Sequence, residues 1–218
     1  MTRLSTPAAN FDKLAHIYRW MEYCSFGPYL ARCRFHFLSE LGGCRNGLIL
    51  GDGDGRFTSR LLRSYAHIWV RVLDASPAML RVLTHAVEPF EDRLVTQCVD
   101  IRSWQPAHGA EYDLIATHFF LDCLSTGEIE DLAASINGHA SSNALWLVSE
   151  FSIPKGILGR FVAVPLVGVL YRGFRLLTGL RQQALPDYKA ALAKSGWVLQ
   201  REHAYLGGLL VSQLWQRA

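Results

Sequence analysis

Leu48-Ile49-Leu50-Gly51-Asp52-Gly53-Asp54-Gly55-Arg56-Phe57-Thr58 leads an apolar run into three glycines at alternate positions and then into a segment of helical periodicity. That is the order of a buried strand, a tight turn and a helix, because glycine enters the left-handed backbone region freely and lets the chain approach a ligand. The alternation continues from Asn46 to about Asn143, where strand candidates are Gly47 to Leu50, Ile68 to Leu73, Leu94 to Val99, Tyr112 to Thr117 and, just beyond, Ala144 to Val148. Their near-continuous apolar character suits strands covered on both faces. Between them Phe57, Leu61 and Tyr65 recur at helical spacing, as do Met79, Leu83, Ala86 and Val87, and Thr126 to Asn137 supplies a third helix. Strands alternating with helices and joined by right-handed crossovers predict an α/β, doubly wound, mostly parallel Rossmann-like sheet.

Working outward, Phe11 to Tyr23 sets Phe11, Leu14, Tyr18 and Met21 on one helical stripe. Pro28 to Leu41 does the same with Leu30, Cys33, Phe37 and Leu41, so an N-terminal helical pair is expected. Pro186 to Ser195 reads as a helix closed by Gly196, followed by strand candidates Trp197 to Arg201 and Leu209 to Trp215 on either side of Gly207-Gly208. These complete a seven-stranded sheet in a single domain over 1–218: a helical cap at 1–45, a core at 46–150, an insert at 151–186 after the fifth strand, and a closing helix and strands at 187–218.

The insert holds no Asp or Glu but does hold Lys155, Arg160, Arg172, Arg175 and Arg181. Its uncharged stretch, Phe161 to Tyr171, covers 11 residues and contains Pro165. As a helix it reaches roughly 16 Å, against a hydrocarbon core of about 30 Å, so it is too short to span a membrane. Two readings stay open. One is an apolar, basic-edged lid that admits a lipophilic or anionic substrate or touches a membrane surface through residues 155–181; the other is a buried helix pair with solvated arginines.

Composition narrows the function classes. With 50% hydrophobic and 19% charged residues the chain can bury a sizeable core, which excludes a wholly disordered protein. Lys plus Arg exceed Asp plus Glu by only 22 to 19, too slight an excess for a broad nucleic-acid footprint. Cys24, Cys33, Cys44, Cys98 and Cys123 form no C-x-x-C pair and read as reduced thiols; with no apolar leader after Met1, a cytoplasmic location is expected. The histidines show no H-E-x-x-H spacing, so no metal is expected, and the absence of a G-x-S-x-G elbow and a P-loop lysine removes hydrolase and nucleoside-triphosphatase readings.

The charges in the glycine loop say what it can hold. A dinucleotide fingerprint needs G-x-G-x-x-G, but Gly55 comes one residue early and Arg56 stands in its place. Asp52 and Asp54 would also face a pyrophosphate, and like charges about 4 Å apart at an effective dielectric of about 20 repel by roughly 4 kcal/mol. A nicotinamide dinucleotide is therefore disfavoured, whereas S-adenosyl-L-methionine, with a sulfonium, an ammonium and no phosphate, is compatible. Asp74 ends the second strand, where a carboxylate accepts hydrogen bonds from both ribose hydroxyls; the alternative is that Asp74 and Ser76 only cap the helix beginning at Pro77. Asp100 and Ile101 follow the third strand and suit an adenine amino group and ring, or are ordinary loop residues.

At these residues the sequence resembles the class I S-adenosylmethionine-dependent methyltransferases. The likeness runs from about Asn46 to Val148 and rests on Gly51-Asp52-Gly53-Asp54-Gly55, Leu73-Asp74-Ala75-Ser76-Pro77-Ala78-Met79-Leu80, Val99-Asp100-Ile101 and Tyr112-Asp113-Leu114-Ile115. It implies that Gly51, Gly53 and Gly55 face the methionine end, Asp74 the ribose, and Asp100 with Ile101 the adenine. Asp52, Ala75, Ser76, Met79, His118 and Phe119 then join the cofactor-binding set. It further implies a seven-stranded sheet whose last strand is antiparallel. The sequence departs from the family at Ile49, where many members carry an acid; Asp52 is the candidate to anchor the ammonium instead. Phe11-Asp12-Lys13-Leu14-Ala15-His16-Ile17-Tyr18 and the apolar insert look loosely similar to quinone-biosynthesis methyltransferases, whose acceptors are prenylated rings.

Methyl transfer from a sulfonium is an in-line displacement that asks mainly for positioning and exclusion of water. The fourth strand ends in Thr117-His118-Phe119-Phe120-Leu121-Asp122 at the ligand-binding edge. His118 and Asp122 are the catalytic candidates, His118 taking a proton from the acceptor and Asp122 orienting it or meeting the acceptor. Alternatively His118 only lines the cleft and Asp122 caps the next helix. Tyr18 and Glu22 share a helical face and are substrate-binding candidates with Asp122, or a core residue and a solvated one. The expected function is methyl transfer to a small, lipophilic acceptor; the alternative is a non-catalytic S-adenosylmethionine or nucleoside binder on the same fold.

Overall fold

The computed structural model describes residues 26–154 and 185–218. The strands β1 (Asn46–Leu50), β2 (Trp69–Asp74), β3 (Leu94–Cys98), β4 (Tyr112–His118), β5 (Ala140–Phe151), β6 (Trp197–Tyr205) and β7 (Leu210–Arg217) form one seven-stranded sheet. The helices among the described residues are α1 (Tyr29–Phe35), α2 (Arg56–Ser64), α3 (Pro77–Val87), α4 (Thr126–Asn137) and α5 (Tyr188–Lys194).

Side chains alternate across the sheet as the two-residue period requires. Leu48 and Leu50 join Ile115, Trp146 and Val148 in one core cluster with α4 and α5; Ile49 joins Leu114, Ala116 and Leu147 in another with α2 and α3. The boundaries of the helices have local causes. Ser76 caps α3 by accepting from Met79 N, with Pro77 following, and Ser125 and Glu128 close a reciprocal capping box on α4.

The strand order is β3-β2-β1-β4-β5-β7-β6. β1 pairs in parallel with both β2 and β4, so the chain travels outward through β2 and β3 and then returns to the other side of β1. That reversal opens a crevice at the carboxyl ends of β1 and β4. The sheet is mixed rather than mostly parallel, because β7 runs against both β5 and β6. The link from β6 to β7 is the short turn Leu206–Gly208, with φ of +50°, +64° and +95° along it, and so short a link joins only antiparallel strands.

Pro28 to Leu41, expected as one helix, is divided. α1 ends at Phe35, and a 3-10 turn covers Leu38–Gly43 after Phe37 leaves helical geometry. The break serves two cores: Leu30 and Cys33 pack with Phe26, Leu209 and Leu210, whereas Phe37, Leu38 and Leu41 pack in the cluster of α2. The expected helix Phe11 to Tyr23, with Tyr18 and Glu22, and residues 155–184 of the insert lie outside the described residues. Among the described residues no helix is long and apolar enough to cross a membrane.

Candidate active site

Three chain segments meet at the crevice: the glycine loop after β1, the turn after β2 and the exit of β4. Gly51, Gly53 and Gly55 have φ of +65°, +60° and +76°, where an L side chain is strained. A Cβ on Gly51 would stand 2.3 Å from Phe120 Cδ2, and one on Gly55 2.8 Å from Leu83 Cγ, so these two glycines let Phe120 and α3 close on the loop. At Gly53 a Cβ would meet nothing within 4 Å. The loop therefore presents bare backbone to open space at its tip.

Asp52 and Asp54 are both buried. Asp52 accepts from Phe57 N (3.3 Å) and Thr58 N (2.8 Å), the first-turn donors of α2, because the N-cap residue Gly55 has no side chain to offer them. Its carboxylate thus supports the start of the helix it precedes. Burial pushes that carboxyl up to about 6, against the opposing pull of Arg34 and Thr58. Asp54 accepts from Arg56 Nε at 2.8 Å.

Asp74 stands at the end of β2, level with Cys98 of β3. Its Oδ1 accepts from Ser76 N (2.8 Å), but the cap of α3 is the Ser76 hydroxyl, so Asp74 braces the turn without capping the helix. Burial raises its carboxyl to about 6, opposed by the N–H groups of Ser76, Gly53 and Ala75, with nearby Asp52 adding to the rise. Gly53 and Asp74 are thus neighbours across β1 and β2. Ala75 is exposed beside them and Met79 is buried. Asp100 accepts from Arg102 N (3.0 Å) and pairs with its guanidinium at 3.3 Å, while Ile101 packs half-buried against the core.

His118 ends β4 and is buried. Its Nδ1 lies 2.9 Å from Ser149 Oγ, and that hydroxyl donates to the Cys33 carbonyl at 3.3 Å. With its one hydrogen spent there, Ser149 accepts from Nδ1–H, leaving a lone pair on Nε2. Nε2 has no hydrogen-bond partner among the described residues. Burial first, and the Arg34 charge second, hold the ring well below the usual histidine value, so His118 is neutral and a weak proton acceptor. Phe119, next in the chain, takes φ +54°, a strained value for a non-glycine residue, and packs its ring at a tilt against Phe151, 5.1 Å between centroids. Asp122 lies in the 3-10 turn Leu121–Cys123; the cap of α4 belongs to Ser125.

This geometry assembles a glycine loop, an acid at the end of the neighbouring strand and a polar β4 exit on one edge of a β3-β2-β1-β4-β5-β7-β6 sheet. The fold is that of the class I methyltransferases. No protein-family model and no curated protein matches the chain in sequence. Solved structures do. The S-adenosylmethionine-dependent methyltransferase SibL superposes with a TM-score of 0.70 at 19% identity, over 98% of this chain and 63% of SibL. The mitomycin 7-O-methyltransferase MmcR gives 0.69 at 17% identity, over 95% of this chain and 60% of MmcR. The N-methyltransferase NodS from Bradyrhizobium japonicum WM9, solved with S-adenosyl-L-homocysteine, gives 0.59 at 13% identity, over 93% and 87%. The chain spans less than two thirds of the length of SibL and of MmcR.

On the class I methyltransferase frame, two buried residues at the β5 end escaped the sequence reading, Ser149 and Glu150. Register pairs Ser149 with His118 across β4 and β5. The signal was available: Leu147-Val148-Ser149-Glu150 places two polar residues at the carboxyl end of an apolar strand, as Thr117-His118 does in β4. Arg34, buried on α1, also escaped, since its spacing resembles that of any solvated arginine on a helix.

Proposed function

We propose that the protein binds S-adenosyl-L-methionine in this crevice and transfers its methyl group to a small-molecule acceptor with a lipophilic body. The observation that carries the reading is the open backbone at Gly53 beside the half-buried carboxylate of Asp74, at the switch point of this strand order. Gly53 leaves room for the methionine end, Asp74 offers its carboxylate to the ribose hydroxyls, and Asp100 with Ile101 borders the adenine. When bound, the sulfonium supplies an electrophilic methyl group. The chain's own residues orient both partners and exclude water: Phe119 and Phe151, with Phe26 5.4 Å from Phe151, give an apolar wall suited to a lipophilic acceptor. His118 Nε2 receives the acceptor's hydrogen bond, and Asp122 orients it from the exit turn. The place of the reaction is the cytoplasm, as the reduced-thiol composition predicts.

The test is incubation with methyl-labelled S-adenosylmethionine and fractionated lipid and aqueous extracts. Label in an apolar product and formation of S-adenosylhomocysteine support the proposal; binding without turnover on any extract supports a non-catalytic binder, which the low basicity of His118 favours. For His118→Ala the expected result is a fall in turnover of about a hundredfold with cofactor affinity within about twofold, the lower end of a positioned acid–base group; an equally active variant removes His118 from the chemistry.

Asp74 makes binding depend on pH. The ionised carboxylate accepts the ribose hydroxyls, and its value is raised to about 6, so S-adenosylhomocysteine affinity should fall as pH drops through about 6. Asp74→Asn should weaken binding at pH 7.5 by about 1.5 to 3 kcal/mol and flatten that profile, the range for a charged hydrogen bond. Unchanged affinity and an unchanged profile would exclude Asp74 from the site. Stability runs in the opposite sense, because a raised carboxyl contributes most when protonated: the contribution is full below 3.8 and is lost as pH rises through about 6.

A further inference from the structure

Glu150 is 1% exposed at the end of β5 and carries no assigned role in methyl transfer. Its Oε1 accepts from Phe120 N at 3.0 Å and Leu121 N at 2.8 Å, the first free amides beyond the strained residue Phe119. A buried carboxyl is costly, and burial with the neighbouring Asp122 charge drives this one well above the ordinary value. It compensates two amides that the left-handed turn at Phe119 removes from the sheet ladder. The consequence lies across the crevice. The turn sets Phe120, whose ring fills the space at Gly51 where a Cβ would stand 2.3 Å from Cδ2. A loop conformation that is strained at Phe119 persists only where its surroundings over-determine it; Phe119 N donates to the Ser149 carbonyl at 2.7 Å on one side, and the two amide hydrogen bonds to Glu150 fix the chain on the other.

We infer that Glu150 is a positioning residue: its carboxyl clamps the β4 exit so that Phe120 braces the glycine loop in the shape that receives the methionine end of the ligand. The ligand half of this inference rests on the cofactor reading above; the clamp itself does not.

The experiment compares wild type, Glu150→Gln and Glu150→Ala by calorimetry with S-adenosylhomocysteine and by amide hydrogen exchange at Phe120 and Leu121. The glutamine carbonyl can still accept both amides, so Glu150→Gln should bind within threefold of wild type and keep both amides protected. Glu150→Ala should lose protection there and bind at least tenfold more weakly, while exchange in β1 and β2 stays as in wild type. Glu150→Ala binding like wild type overturns the inference, and so does Glu150→Gln failing as badly as Glu150→Ala. If Glu150→Ala does not fold, loss of protection or of affinity in Glu150→Gln still refutes the clamp. A wild-type protein that ignores S-adenosylhomocysteine refutes the cofactor reading instead, and fast exchange of the Phe120 and Leu121 amides in that same wild type refutes the clamp.

Discussion

Gly51→Val should abolish measurable S-adenosylhomocysteine binding and lower the melting temperature by about 10 °C. Two costs add. A β-branched residue at φ +65° is a conformational outlier, worth about 1 to 2 kcal/mol from the left-handed backbone alone. The new Cβ would stand 2.3 Å from the Phe120 ring, an overpacking worth about 1 to 3 kcal/mol. The ring has little freedom to retreat, because Phe120 N is held by Glu150. Each kcal/mol shifts the melting point of a domain this size by about 2 to 4 °C, which gives the expected fall. Gly53→Ala is the control for stability, with a similar φ of +60° but nothing within 4 Å of its Cβ, and should cost the fold only the backbone term. Differential scanning calorimetry of the unliganded variants separates the two; equal melting for both would show that closeness to Phe120 is not what requires glycine at 51.

Trp146→Ala should destabilise the protein by about 3 to 5 kcal/mol, the range for removing a large aromatic from a packed core. Trp146 is fully buried in β5, meets Trp197 of β6 edge-on at 5.1 Å, and donates from Nε1 to Thr117 Oγ1 at 3.1 Å. Deletion therefore opens a cavity in the cluster of α4 and α5 and strips a buried hydroxyl of its donor one residue before His118. Trp146→Phe, which keeps most of the volume and loses only the hydrogen bond, should cost nearer 1 to 2 kcal/mol. Urea titration reads both. A Trp146→Ala protein within 1 kcal/mol of wild type would mean that this face of the sheet is loosely packed.

Legibility in the sequence differed by the range of the interaction involved. Burial on both faces made β1 and β4 visible as continuous apolar runs, whereas β3 and β6 are largely exposed and were read from short β-like runs bounded by turns; α3 announced itself through Ser76-Pro77 and α4 through its helical period. The split of Pro28 to Leu41 was invisible, since its apolar residues keep one helical period while serving two separate cores. Asp52, an acid between two glycines, reads as ligand-facing, and only the structure shows that it also accepts the first-turn amides of α2.

Local chemistry in the chain by itself marked where most strands and turns form and singled out the glycine loop as the candidate for a cationic nucleoside. Tertiary structure alone decided the strand order and the meeting of His118, Ser149 and Glu150 at one sheet edge, whereas the antiparallel last strand was already implied by the family resemblance. Backbone periodicity and turn residues act over a few positions and leave their mark in sequence. The environment of a buried carboxyl or imidazole is set by segments about 30 residues apart or more, as the pairing of His118 with Ser149 shows, and comes into being only when the sheet closes.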